Sequence, residues 1–305
     1  MPNVVAIGPV HPFTKGVETI TLAGHGTERR YLLSRPDAPG LRANFHFPVV
    51  IFLHGTGGTA EWADTETGWS ALAQRERFVL VLPEGIPPNP TKAPKFLTNP
   101  SRWNDGSTEL GQALHTDAAD VDFLTAVIQD LIQRGLGDPR RVYLTGFSNG
   151  AGMTFRFAAE RAELLAAIAP VAGYCWVGDP KPVRPVPTLY MVGTADPLIP
   201  LLGGSVRSPW GGKLVRRPSV RETLEKWAVS IGCHSQSVVT ADVPGVREER
   251  YPSGAGTEFH SLFLDGHGHH WPGGRGQLTA RIGGVSVNSV QAIEHIWAFF
   301  KRHEL

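Results

Sequence analysis

The sequence predicts an α/β protein built on a mostly parallel, twisted sheet with helices on both faces. Three observations carry this. Short β-branched or apolar runs alternate with stretches of helical periodicity along the chain, the pattern of strand-helix-strand units. Two of the runs, "VVIFL" and "FVLVLP", are almost continuously apolar, as strands buried on both faces are. Between later runs, "TDAADVDFLTAVIQDLIQRG" sets Val121, Leu124, Val127, Ile128, Leu131 and Ile132 at helical spacing.

In chain order, Gly16–Leu22 and Arg30–Ser34 alternate in polarity and suit an antiparallel hairpin. The further predicted strands are Val49–Leu53, Val79–Pro83, Arg141–Thr145, Ala166–Val171, Thr188–Val192 and Glu258–Leu264. The long helix, from about Thr116, has acidic residues in its first turn and Gly135 just past its end. A second helix over Ser219–Ser230 places Ser219 and Glu222 in the relation of a capping box, and a third, Ser289–Lys301, closes the chain. Ile86–Pro100, "IPPNPTKAPKFLTNP", and Gly203–Gly212, "GGSVRSPWGG", carry no periodicity. Both are predicted to be long surface loops at strand ends, where loops border sites. With no repeat and no Gly/Ser linker, residues 1–305 are expected to form a single domain.

Among the 305 residues, 29 basic side chains balance 28 acidic ones to a net charge of +1, without long like-charge runs. That argues against nucleic acid or an anionic membrane as partner. A hydrophobic fraction of 41% suffices for a core, while 35 glycines and 25 prolines imply many loops. The longest apolar stretches, such as "FPVVIFL", are far too short to span a bilayer. The segment Met1–Gly16 lacks the basic-then-apolar order of a signal peptide, and the compartment stays open. Cys175 and Cys233 are equally compatible with one bridge or two thiols.

The chemistry centres on four short motifs. "VYLTGFSNGAG" gives a G-x-S-x-G, Gly146 to Gly150, between an apolar strand and a helical run. Small residues on either side of Ser148 allow a sharp strand-to-helix turn that exposes its hydroxyl and aims a helix N-terminus at developing negative charge. Upstream, "LHGTGG" follows a buried strand, and the backbone amides of Thr56 and Asn149 are the expected oxyanion donors, each worth roughly 3–4 kcal/mol in the transition state. A phosphate cradle would need the lysine and hydroxyl that this loop lacks. His54 is expected to hold the loop. "GTADPLIP" ends another strand and makes Asp196 the candidate acid; Asp179, Asp242 and Asp265 follow no clear buried strand. Finally "GHGHHWPGG" holds His267, His269 and His270, one of which should be the base, since the order Ser, Asp, His suits a serine triad.

Together these motifs resemble the single-domain polyhydroxybutyrate depolymerase and feruloyl esterase family of the α/β-hydrolases. Its members show L-H-G-x-G, R-V-Y-x-T-G-x-S-N-G, G-x-x-D-x-x-I-P and G-x-G-H-x-W-P-G motifs, to which "LHGTGG", "RVYLTGFSNG", "GTADPLIP" and "GHGHHWPGG" are similar. The likeness covers about residues 17–303 and includes the helix "SVRETLEKWAVSIGC", which ends near a cysteine. It implies the α/β-hydrolase fold and makes His269 the base, with His267 and His270 in variable positions. Members acting on insoluble polyester usually add a linker and a surface-binding module, and many are exported; the sequence shows neither module nor signal.

The implied reaction is hydrolysis of a carboxylic ester through an acyl-enzyme on Ser148, with His269 as base, Asp196 as acid, and no cofactor or metal. Trp271, Trp103 and Trp210 are candidate walls for the substrate, or else aromatics that anchor long loops. The substrate is expected to be a small or oligomeric ester: aryl or short-chain esters including feruloyl-type ones, then polyhydroxyalkanoate oligomers. Two readings from other classes are a metal site formed by His267, His269 and His270, and a non-catalytic binding protein on the same scaffold. The first lacks the usual carboxylate-linked histidine spacing, and the second has no need of an intact nucleophile, base and acid.

Overall fold

A computed structural model describes residues 13–21, 28–36, 46–107, 118–276, 278–287 and 289–305. Most of the segment read for a signal peptide, Leu22, and the first two residues of the predicted long helix, Thr116 and Asp117, lie outside these.

Strands β1 (Phe13–Thr21) and β2 (Glu28–Pro36) pair antiparallel, as their alternation predicts. β3 (Phe47–Leu53) is buried at every position and leads into helices α1 (Ala60–Thr67) and α2 (Trp69–Glu76). The two helices are divided by Gly68, whose φ of 79° is open to glycine at no steric cost. β4 (Val79–Pro83), α3 (Asp120–Gln133), β5 (Gly137–Phe147), α4 (Asn149–Glu160), β6 (Ala167–Val171) and β7 (Thr188–Gly193) follow. After them come β8 (Gly204–Arg207), β9 (Leu214–Arg217), α5 (Val220–Ser230), β10 (Val238–Val243) and β11 (Val246–Arg250). The chain ends with β12 (Phe259–Leu264), α6 (Ala280–Gly283) and α7 (Ala292–Phe300).

Ten strands form one sheet in the order β1-β2-β4-β3-β5-β6-β7-β12-β11-β10. The six central strands, β4 through β12 in that order, are parallel, and the outer pairs at each edge run antiparallel. The chain moves one way from β3 to β4 and the other way from β4 through β5 to β6. Right-handed crossovers then put α1 and α2 on one face and α3 and α4 on the other. This is the α/β-hydrolase arrangement, with the C-terminal ends of the parallel strands at one edge where a site forms. No helix among the described residues is long and apolar enough to cross a membrane.

The central elements match the predicted ones to within a few residues; the differences lie at the periphery. The stretch 203–212, expected to be a loop, contains β8 of a two-stranded hairpin with β9, each strand burying a single valine, Val206 or Val215. β10 and β11 form an outer edge rich in charge, where Glu249 is buried through bonds from Arg221 and Ser237. α1 and α2 are short, and Gly68 breaks their common period. α3 is described from Asp120, which is held by Arg29 in a buried ion pair of 2.8 Å and by the Asn104 amide at 2.7 Å. That pair ties the head of α3 to β2. Cys175 and Cys233 are both free and buried, and burial pushes the Cys175 thiol up to about 11.

Two local devices yield measurable consequences. Ser219 and Glu222 complete a capping box on α5, the Ser219 hydroxyl accepting from the Glu222 amide at 3.1 Å and the Glu222 carboxylate from the Ser219 amide at 3.0 Å. Ser219→Ala should lower the unfolding free energy by about 1 kcal/mol in urea titrations. His54, fully buried at the end of β3, accepts from the Gly85 amide at 3.0 Å through Nε2, which leaves Nδ1–H to donate to the Gly55 carbonyl at 2.8 Å. It is the loop-holding residue the sequence predicts. Burial depresses its pKa below the ordinary 6.5, so the unfolded chain takes up the proton first as pH falls. Stability is therefore full above that pH and declines below it, and unfolding midpoints measured from about pH 8 to pH 5 should fall less steeply in His54→Asn than in the parent.

Candidate active site

Ser148 sits between β5 and α4 at φ 58° and ψ −117°, a conformation foreign to L-residues and costing about 1–3 kcal/mol unless the surroundings hold it. The neighbouring glycines show why it can be held. A Cβ on Gly146 would collide with the carbonyl of Gly150, one on Gly150 with that of Leu53, and one on Gly173 with that of Ser148. The elbow thus packs backbone against backbone, and the Ser148 amide donates to Val171 O at 2.9 Å.

From this turn the Ser148 hydroxyl donates to His269 Nε2 at 2.9 Å, and His269 Nδ1–H donates to Asp196 Oδ2 at 2.7 Å. The other carboxylate oxygen of Asp196 accepts the amides of Leu198 and Ile199, both at 2.8 Å, so the acid is fixed in orientation. His269 and Asp196 are 2% and 4% exposed, shielded from competing water, while Ser148 is only half-buried. The His269 ring lies 4.7 Å from that of Phe147, the variable residue before the serine. The structure thus brings Ser148, His269 and Asp196, distant in sequence, into one hydrogen-bonded chain.

The other two histidines of the loop have different company. Nδ1 of His267 accepts the Val287 amide at 3.0 Å, and Nε2–H donates to the His270 carbonyl at 3.1 Å; burial lowers its pKa. His270 Nε2–H donates to the Gly284 carbonyl at 3.1 Å. Both pin the loop to residues 284–287. Among the described residues, no three His, Cys, Asp or Glu side chains are grouped to hold a metal ion.

Thr56 and Asn149 flank the serine from two sides. Asn149 is the first residue of α4, so its amide has no intrahelical acceptor. Thr56 lies in a loop fixed by Gly57 N donating to Ser101 O at 2.7 Å and Gly58 N to Gly55 O at 2.9 Å. Sequence reasoning missed the Asn149 side chain. Its Oδ1 accepts the Trp103 amide at 2.7 Å and its Nδ2 donates to the Trp103 carbonyl at 3.0 Å, while the Trp103 indole donates to the His54 carbonyl at 2.9 Å. The two amide-bearing segments are locked to each other through Trp103.

A cavity of about 420 Å3 opens beside Ser148 and His269, walled by Trp62, Phe96, Phe147, Trp210, Leu198 and Ile282. Of the three predicted tryptophan walls, only Trp210 faces it. Trp103 and Trp271, each 1% exposed, are corrected to buried anchors: Trp103 as above, Trp271 packed edge-on against Phe52 at 5.0 Å. Trp210 donates its indole N–H to Phe96 O at 2.8 Å, joining the 86–100 and 203–212 stretches over the site. Trp62 and Ile282, on α1 and α6, carried no signal in the sequence.

Residues 42–221 match the phospholipase/carboxylesterase family model, a segment that includes Ser148 and Asp196. "Putative esterase NocK" of Nocardia uniformis subsp. tsuyamanensis is 31% identical over 280 residues, 87% of this chain and 76% of that protein. Feruloyl esterase B of Piromyces equi is 30% identical over 176 residues, 52% of this chain but only 31% of that longer protein. Poly(3-hydroxyalkanoate) depolymerase C of Paucimonas lemoignei is 33% identical over 134 residues, 44% of this chain and 29% of that protein. Among solved structures, acetyl xylan esterase from Aspergillus awamori superposes with a TM-score of 0.55 over 84% of this chain and 94% of that one; at 15% identity the likeness speaks for the fold. The chain belongs to the phospholipase/carboxylesterase family and is an α/β-hydrolase that hydrolyses esters.

Proposed function

We propose that the protein is a serine esterase acting on aryl or short-chain carboxylic esters through an acyl-enzyme on Ser148. The observation that carries this reading is the unbroken chain from the Ser148 hydroxyl through His269 to Asp196 at the floor of an apolar cavity. His269 takes the serine proton as the hydroxyl attacks the ester carbonyl, and Asp196 stabilises the imidazolium. The Thr56 and Asn149 amides receive the oxyanion, preorganised by the Trp103 bridge. His269 then gives its proton to the leaving alcohol and deprotonates the water that releases the acid.

The aromatic walls, Trp62, Phe96 and Trp210, suit a flat ring, and the cavity lies within the usual range for small-molecule sites. Oligomers of hydroxyalkanoic acids are the second substrate class, supported by the similarity to the depolymerase.

Ser148→Ala and His269→Ala should each lower kcat by roughly a million-fold, and Asp196→Asn by about ten-thousand-fold, on an aryl ester. His270→Ala should keep far more activity than His269→Ala; the reverse ranking would move the base to its neighbour. A fluorophosphonate probe should label the parent at Ser148 and leave Ser148→Ala unlabelled. Labelling elsewhere, or activity lost to a chelator, would sink the mechanism. Turnover of matched feruloyl, acetyl, short-acyl and hydroxybutyrate esters then ranks the substrates.

A further inference from the structure

A second, smaller cavity of about 50 Å3 lies against the other side of Ser148, parted from the apolar one by Trp210 and Leu198, which line both. Its character is different. Arg102, Asp105 and Arg217 line it, and Arg217 stacks over the Trp176 ring at 5.7 Å.

Arg102 is the telling residue. It is 5% exposed, and a guanidinium carries five N–H donors that demand acceptors when dry. Here one terminal nitrogen donates a long bond of 3.5 Å to Ser107 Oγ, and the buried Nε has no acceptor. The nearby acids are engaged elsewhere: Asp105 Oδ1 accepts the Ser107 amide at 3.0 Å and its hydroxyl at 2.6 Å, and Asp120 is held by Arg29 and the Asn104 amide. Among the described residues no carboxylate forms an ion pair with Arg102. Burial lowers its pKa, the charges of Asp105 and Asp120 opposing that effect. A buried cation so incompletely answered, in a cavity that reaches the nucleophile, is fitted to receive an anion from outside.

We propose that this cavity is a carboxylate subsite for the acyl half of the substrate, so that the enzyme favours half-esters of short dicarboxylic acids. The inference rests on the Ser148 reading above. His269 lines the apolar cavity alone, and since it must protonate the leaving oxygen, the alcohol half belongs there and the acyl half on the Arg102 side. A volume of about 50 Å3 admits a few heavy atoms and no aryl ring, which sets the acyl chain short. Attack forms the Ser148 ester of the dicarboxylic acid and expels the alcohol with the proton from His269. Water then releases the free diacid, and the distal carboxylate stays intact on Arg102 throughout.

The test compares benzyl hemisuccinate with benzyl isocaproate, in which an isopropyl group stands where the carboxylate was, by benzyl alcohol release. The parent enzyme should favour the hemisuccinate in kcat/KM by at least about tenfold, the value of a charge-assisted bidentate contact. Arg102→Gln should bring that ratio to about one or below, and Arg102→Lys should keep part of it. Because each ratio is taken within one preparation, loss of folded enzyme cancels, and the parent ratio requires no variant. Turnover of isocaproate without preference for the hemisuccinate overturns the subsite and leaves the esterase reading standing. A preference that survives in Arg102→Gln does the same. Failure to hydrolyse either ester overturns both.

Discussion

The turn at Ser148 is the constraint from which the rest of the site follows. A non-glycine residue at positive φ persists only where its surroundings over-determine it. Here the helix start is pressed so closely on the ends of β3 and β5 that Gly146 and Gly150 have no room for a Cβ. The fully buried central strands make those contacts stiff. The same approach that lifts the hydroxyl out of the sheet edge sets the first amides of α4 beside it, so the proposed nucleophile and the proposed oxyanion donor arise from one piece of backbone geometry. Ala172 repeats the strategy from a φ of 51° at the end of β6, with its amide on Met191 O at 2.8 Å, where Gly173 packs against the elbow.

Three imidazoles within four positions differ because of what their nitrogens face. His267 and His270 turn theirs toward backbone groups, which holds the loop to residues 284–287. His269 alone has a carboxylate on one side and a hydroxyl on the other. With its Nδ1–H committed to Asp196, the free pair on Nε2 is directed at the serine, the tautomer a general base requires. The flanking histidines contribute by rigidity: a base held by a loop that is itself pinned on both sides loses little entropy when it reaches the reactive geometry.

The central fold was legible because strands covered on both faces must be apolar throughout, a signal visible in "VVIFL" and "FVLVLP" without any partner in view. The edges were not. β10 and β11 lie largely exposed at the outer edge, and Glu249 of β11 is bonded by Arg221, a residue of α5 that no strand pattern points to. Within the site, Ser148 and Asp196 were legible because each ends a recognisable strand in a local motif, whereas the choice of His269 over its neighbours needed the family likeness. The tryptophans show the limit plainly. Trp103, Trp210 and Trp271 all stand in loops beside motifs, yet whether such a ring faces a cavity or lies beneath it is decided by tertiary contacts: Trp103 goes under because its indole finds the His54 carbonyl, and Trp210 stays over the cavity because its indole finds Phe96.

That division between legible and illegible parts has a functional meaning. The groups that would perform the chemistry are mounted on strand ends and a helix start, where position is fixed to within the tolerance that proton transfer needs. The walls that would choose the substrate, Phe96, Trp210, Arg102 and Ile282, come from irregular segments or from a four-residue helix. Such segments change without disturbing the sheet, because few of their contacts pass through it. The similarity to esterases and depolymerases of different names accords with this separation: the candidate elbow, acid and histidine loops are tied to the sheet geometry, while the walls are not. The pairing across Ser148 of an apolar cavity with a smaller one lined by Arg102 and Arg217 is where the proposed specificity of this chain lies, and Trp210, its indole bonded to Phe96 of the neighbouring loop, stands between the two.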